Sequence, residues 1–143
     1  IQIEKCLSEY ALEVYSCDSI KVYITQSWLN FSKKGESHHN HFHPNSFLSG
    51  VLYIKADPNY HYIKFSNNNY TTIFPYNEKT QWTDFNARTY DILVEKGKLL
   101  IFPSKLNHSV EPNTKDDLRI SLSFNTWLRG EVGKKENSDY LKL

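Results

Sequence analysis

Cysteine is nearly absent from this chain of 143 residues: only Cys6 and Cys17 occur, both near the N-terminus. Two thiols cannot form a disulfide framework or a cysteine-rich zinc site, so the expected setting is reducing and cytoplasmic. Net charge is almost absent too. The formal value is +1 with acidic and basic residues interspersed, which leaves no electrostatic footprint for nucleic acid or an anionic membrane, and neither partner is expected. No run of about 18 apolar residues exists to span a bilayer, and Ile1-Gln2-Ile3-Glu4 does not open a signal peptide. No internal repeat is found.

Aromatic residues, by contrast, are abundant at 15% of the chain, with ten Tyr, eight Phe and three Trp. They supply large packing surfaces and, with β-branched residues, favour strands. A chain of this length forms about one domain and buries roughly two thirds of the surface its unfolded form exposes. We therefore expect a single domain over residues 1–143. Ile3, Leu7, Tyr10 and Val14 recur at helical spacing with charged residues between them, which predicts one amphipathic helix over about 2–16, packed outside a sheet.

From Ile20 onward short alternating runs are broken by Asn, Pro, Gly and Asp, the pattern of antiparallel β structure. Strands are expected over Ile20–Trp28, Phe47–Lys55, Tyr60–Phe65, Thr71–Phe74, Tyr90–Val94, Lys98–Phe102, His108–Glu111 and Leu118–Asn125. Turns are expected at Lys33-Lys34-Gly35, Ala56-Asp57-Pro58-Asn59, Ser66-Asn67-Asn68-Asn69, Glu95-Lys96-Gly97 and Pro112-Asn113-Thr114. About eight short strands in one domain imply a jelly roll or sandwich. The β core then spans about 20–127, and the charged, unpatterned stretch over about 129–143 is expected to be a mobile tail or a partner contact.

Chemistry concentrates in Ser37-His38-His39-Asn40-His41-Phe42-His43-Pro44-Asn45-Ser46, which holds four of the six histidines. In an extended segment His39, His41 and His43 point to one side while His38 and Phe42 point away. Imidazoles two residues apart can share a metal, and a third ligand from a distant strand, for which His108 is the natural candidate, completes a facial set with open positions. The competing reading is a group of solvated loop histidines. Downstream, Arg119-Ile120-Ser121-Leu122-Ser123-Phe124-Asn125 alternates without a break between an apolar and a polar face. On an ordinary two-layer sheet the polar face is the wet one. In a barrel with an internal site it lines the cavity, and Arg119 becomes a buried guanidinium fork matched to a carboxylate. Val51 and Tyr53 share a face of their strand, where the Tyr53 hydroxyl can donate to the same carboxylate or pack as a core aromatic.

Five blocks carry a family resemblance: Ser27-Trp28-Leu29-Asn30, Gly35-Glu36, His41-Phe42-His43-Pro44-Asn45-Ser46, Ser49-Gly50-Val51-Leu52-Tyr53, and Phe102-Pro103-Ser104 through His108 to Asn125. In order and spacing they resemble the 2-oxoglutarate and iron(II)-dependent oxygenases found in marine bacteria and their phages, over about Ser27 to Asn125. The resemblance implies a double-stranded β-helix, a mainly β, cupin-like jelly roll with the N-terminal helix outside. It further implies Fe(II), O2 and the co-substrate 2-oxoglutarate, with His41 and His108 as metal ligands and Arg119 as the anchor for the C5 carboxylate. Tyr53, Ser121 and Asn30 occupy positions that resemble co-substrate contacts. The wider superfamily has His-x-Asp or His-x-Glu at the first ligand pair, whereas this chain has His41-Phe42-His43. His43 is then either the third ligand of a three-histidine site or a neighbour of the ligands.

The activity implied is hydroxylation of an unactivated C–H bond with release of succinate and carbon dioxide, in the cytoplasm of the cell or of a phage's host. Two other readings stand beside it: a three-histidine cupin-type dioxygenase that does not use 2-oxoglutarate, and a non-catalytic β module. The substrate class, a peptide residue or a small molecule, is not legible, and neither is the oligomeric state. The aromatic segment from Tyr60 to Asp91, with Tyr70, Phe74, Tyr76 and Trp82, is expected to lie beside the cavity or to form a minor core.

Overall fold

The computed structural model describes residues 2–66 and 87–143. Among these residues one helix, α1 (Ile3–Tyr15), precedes nine strands: β1 (Ile20–Ser32), β2 (His38–His41), β3 (Leu48–Lys55), β4 (Tyr62–Ser66), β5 (Thr89–Leu93), β6 (Leu99–Pro103), β7 (Asn107–Val110), β8 (Arg119–Val132) and β9 (Leu141–Lys142). All pairings are antiparallel. One sheet runs β1-β8-β3-β6, with β9 added to β8, and the other runs β2-β7-β4-β5. Apart from the β4–β5 and β8–β9 pairs, consecutive described strands belong to opposite sheets, which is the winding of a double-stranded β-helix. No helix among the described residues is long and apolar enough to cross a membrane.

Two apolar clusters hold these layers. Val51, Tyr53, Ile63, Phe65, Val94 and Phe102 come from both sheets and fill the space between them. Leu7 and Ala11 of α1 cover Val22, Leu48 and Phe124 on the outer face of the larger sheet, as the helical period of apolar residues demands. Gly50 is required here. It pairs with Phe124 across β3 and β8, and a Cβ at Gly50 would stand 2.1 Å from Phe124 Cζ, so the ring crosses β3 only because that side chain is missing.

Two irregularities decide which residues face inward. In β1, Ile24 pairs with Thr126 but Gln26 pairs with Asn125, leaving Thr25 as an extra residue. Its hydroxyl donates to Asn125 O at 3.1 Å. A bulge inverts the face of everything beyond it. Val22 and Ile24 therefore lie outside beneath α1, whereas Trp28, Asn30 and Ser32 turn inward, and Leu29 and Phe31 are left 52% and 56% exposed. In β2, His38 pairs with Val110 and His41 with His108, three steps along one strand against two along the other.

Several expectations are corrected. β1 continues to Ser32 rather than ending at Trp28, and His38–His41 is a strand in its own right. The stretch expected as an unpatterned tail from about 129 instead begins as the continuation of β8 to Val132. There Ile20, Lys21 and Val22 pair with Gly130, Arg129 and Leu128, and β9 folds back on Glu131 and Val132. Backbone pairing with β1 supplies what the charged side chains do not. The expected strand Thr71–Phe74, most of the turn at Ser66–Asn69, and Tyr70, Tyr76 and Trp82 lie outside the described residues.

Candidate metal centre

His41 ends β2, His108 sits opposite it on β7, and His43 follows on the connecting loop. Their potential ligand nitrogens all lie within 4.8 Å of one another. Ring centroids are 4.4 Å apart for His41 and His108, 5.0 Å for His41 and His43, and 5.1 Å for His43 and His108. The backbone orients two of the rings. His41 Nδ1–H donates to His39 O at 2.7 Å and His108 Nδ1–H donates to Leu106 O at 3.0 Å. This pairing leaves both Nε2 atoms as unprotonated acceptors, the arrangement by which proteins fix the tautomer and aim of a ligating imidazole.

His43 is held through its backbone. Its N–H donates to Ser104 O at 2.9 Å, and Asn45, at φ 57°, turns the chain back toward β3 just beyond it. Beneath this turn the buried hydroxyls of Ser46, Ser104 and Ser49 form a chain, with Ser104 donating to Ser46 at 2.7 Å and Ser49 lying 2.8 Å from Ser104. Ser49 also donates to Asn125 Oδ1 at 2.8 Å. Burial favours the neutral form of His108 and His43. It pushes His108 down to about 4, against the opposing pull of the Leu106 carbonyl and with help from His41 and His43. Burial, then His41, also lowers His43. Neutral imidazoles offer lone pairs, as a first-row metal needs.

The opposite end of the same cavity is cationic. Arg119 is 3% exposed, and its one hydrogen bond to a described residue is from Nη2 to Ser32 Oγ at 3.1 Å. No carboxylate pairs with it among the described residues. Beside it, Tyr53 is 2% exposed, and burial raises its phenol to about 12 despite the nearby guanidinium. No buried side-chain polar atom lacks a partner among the described residues, so the free donors of Arg119 and Tyr53 open onto the cavity. Asn30 and Ser121 form the wall between, with Asn30 Nδ2 donating to Ser123 Oγ at 2.9 Å and more distantly to Ser121 Oγ at 3.5 Å. The cavity, of about 70 Å³, is lined by all of these groups, the three histidines and Trp28.

Every residue expected at the site, His41, His43, His108, Arg119, Tyr53, Ser121 and Asn30, lines this cavity. The chemistry fits iron at one end and a carboxylate at the other. Three neutral nitrogen donors form one face of a coordination sphere, and a buried guanidinium without an anion is costly until one arrives.

His38 does not point away, as simple alternation expects. The β2 irregularity turns it into the cavity. His39 contributes its carbonyl to His41 rather than its ring to the cluster. Ser32, which pins Arg119, lies beyond the expected end of its strand. A larger apolar cavity of about 350 Å³ lies behind Phe65 and Phe102 and has no imidazole or carboxylate in its described lining.

Residues 26–125 match the protein family described as "Putative 2OG-Fe(II) oxygenase". No curated protein matches the chain. Among solved structures, an oxidoreductase of the 2OG-Fe(II) oxygenase family from Burkholderia pseudomallei is similar, with TM-score 0.62, 10% identity, and coverage of 83% of this chain and 50% of that one. The non-heme alpha ketoglutarate dependent epimerase SnoN from nogalamycin biosynthesis has TM-score 0.60 and 11% identity, covering 87% of this chain and 56% of SnoN. AviO1 from Streptomyces viridochromogenes Tue57 has TM-score 0.58 and 13% identity, covering 84% and 56%. At such identities the likeness concerns the fold, and the chain spans only about half the length of these structures.

Proposed function

Because the chain belongs to the 2OG-Fe(II) oxygenase family over residues 26–125, we propose that it is an iron(II) oxygenase that consumes 2-oxoglutarate and hydroxylates an unactivated C–H bond. His41, His43 and His108 are the metal ligands in this reading, and Arg119 receives the C5 carboxylate. One observation carries it: a buried guanidinium with free donors faces the same cavity as three convergent imidazoles. When bound, iron with 2-oxoglutarate and O2 would supply the oxidising chemistry, in which one oxygen atom goes into succinate as carbon dioxide is released and the other into the substrate.

The remaining work belongs to the chain's own residues. The His39 and Leu106 carbonyls hold the Nε2 lone pairs of His41 and His108 toward the metal position, and the Ser104 carbonyl holds the His43 backbone. Ser32 stops the Arg119 fork from swinging, so its free edge is preorganised for a carboxylate. Tyr53 stays protonated at neutral pH and donates a further hydrogen bond. The apolar lining from Val51, Ile63, Phe102 and Val110 limits water around the reacting groups, strengthening the electrostatic contacts inside.

Three neutral donors with no carboxylate among them also suit a three-histidine dioxygenase that binds its substrate directly and needs no 2-oxo acid. Anaerobic titration of the iron(II)-loaded protein with 2-oxoglutarate separates the readings. A visible charge-transfer band saturating at one iron per chain is the expected outcome. Tight iron binding without the band supports the three-histidine dioxygenase, and no iron binding leaves a non-catalytic β module.

A further inference from the structure

The geometry points to His38 as a second carboxylate-binding side chain, facing Arg119 across the cavity and donating to the same distal carboxylate of a 2-oxo diacid. This inference rests on the co-substrate reading above. It makes the anchor two-sided: Arg119 and Tyr53 hold the acid from the larger sheet and His38 holds it from the smaller one.

The β2 irregularity is the origin of the arrangement. His38 and His41 are three residues apart, an odd number, and on a regular strand they would face opposite ways. Because one extra residue lies between their pairings with Val110 and His108, both turn toward the other sheet, and both line the cavity with Arg119. His38 is half-buried, yet its ring makes no hydrogen bond to any described residue. No buried side-chain polar atom lacks a partner among the described residues, so the unpartnered ring nitrogens of His38 are accessible, on a residue that lines the cavity. It is also outside the cluster of convergent ligand nitrogens formed by His41, His43 and His108. A polar ring that lines the cavity, has no hydrogen-bond partner among the described residues and lies outside the metal-ligand cluster is suited to a ligand group.

The chemistry of that group follows from its neighbours. A carboxylate has about four lone-pair sites. The free edge of the Arg119 fork takes two and Tyr53 a third, leaving one on the side away from the larger sheet. A neutral imidazole always carries one N–H and can fill it. Two walls gripping one end of the molecule fix its distance from the three histidines, so the pocket selects 2-oxo acids that end in a second carboxylate at that distance.

The test uses the iron(II)-loaded full chain without oxygen and follows the charge-transfer band. Two ligands are compared: 2-oxoglutarate, and 2-oxovalerate, which has a methyl group where the distal carboxylate would be. In His38→Leu the Kd for 2-oxoglutarate should rise about tenfold, the scale of losing a hydrogen bond to a charged group. The Kd for 2-oxovalerate and the iron stoichiometry should not change, and His38→Gln, which keeps an N–H donor, should recover part of the loss. Equal weakening of both ligands would mean that His38 only shapes the wall, and no change in either would remove it from the site. Loss of iron would make it a metal ligand instead. If the unmodified chain binds iron but develops no band with 2-oxoglutarate, the co-substrate reading falls and the role of His38 falls with it.

Discussion

Replacing Arg119 by Met should weaken co-substrate binding without weakening the fold, and the two effects are separable. Arg119 is 3% exposed, and its side chain makes one hydrogen bond to a described residue and has no described anionic partner. Burial depresses its pKa, with only Tyr53 opposing. An ion buried without a partner costs several kcal/mol, and the single bond to Ser32 returns about 1.5 to 3 kcal/mol of that. Met fills a similar volume with no charge, so the ligand-free variant should be as stable as the parent or more stable by about 1 to 3 kcal/mol. In a domain of this size each kcal/mol moves Tm by about 2 to 4 °C. Binding behaves in the opposite way. Removing the charge that pairs with a carboxylate in a desolvated pocket costs about 2 to 5 kcal/mol, which raises the Kd for 2-oxoglutarate by at least about thirtyfold. Thermal melts with and without 2-oxoglutarate, in the presence of iron(II), read both quantities: the parent should gain Tm with the ligand and Arg119→Met should not. A variant that melts well below the parent, yet still binds 2-oxoglutarate normally, would show that the guanidinium serves the fold and refute the argument.

His108→Ala should abolish stoichiometric iron binding, read by metal analysis after desalting, because it removes one of three convergent nitrogens while leaving β7 paired on both sides. Gly50→Ala should destabilise the chain by about 1 to 3 kcal/mol in a denaturant melt, since its Cβ would overlap the Phe124 ring; a melt identical to the parent's would mean that the ring has room to move. Acid should destabilise the metal-free protein through the buried imidazoles. His108 titrates near 6.5 when unfolded and near 4 when folded, so the unfolded chain takes up the proton first. Its contribution of about 3 kcal/mol is complete above pH 6.5 and lost as pH falls toward 4, with His43 shifted in the same direction. In His108→Leu that part of the slope should vanish, and a parent melt flat over this range would contradict it. Tyr53→Phe should raise the Kd for 2-oxoglutarate about tenfold with no dependence on pH below the phenol's value of about 12.

Local periodicity was enough for the helix, for most strand positions and for the shared polar face of Arg119, Ser121 and Ser123, because a two-residue or 3.6-residue repeat is a property of consecutive residues; that this face lines a cavity was decided by the second sheet. Residue type and close spacing singled out His41 and His43, whereas His108, on a distant strand, was singled out as a third nitrogen donor and by the family resemblance. The two bulges were not legible. Whether Thr25 or a residue between His38 and His41 is squeezed out of the ladder depends on what the partner strand offers, and β8 and β7 are about 100 and 70 residues away along the chain. Those bulges turn Trp28, Asn30, Ser32 and His38 inward, so Ser32, which braces Arg119, and the inward turn of His38 emerged only when the strands were paired. The ordered stretch beyond Trp127 has the same cause: its charged side chains carry no β pattern, and its strand exists because the backbone of β1 pairs with it. Side-chain pattern is written along the chain, whereas the partner of each backbone hydrogen bond is settled by the strand that lies alongside.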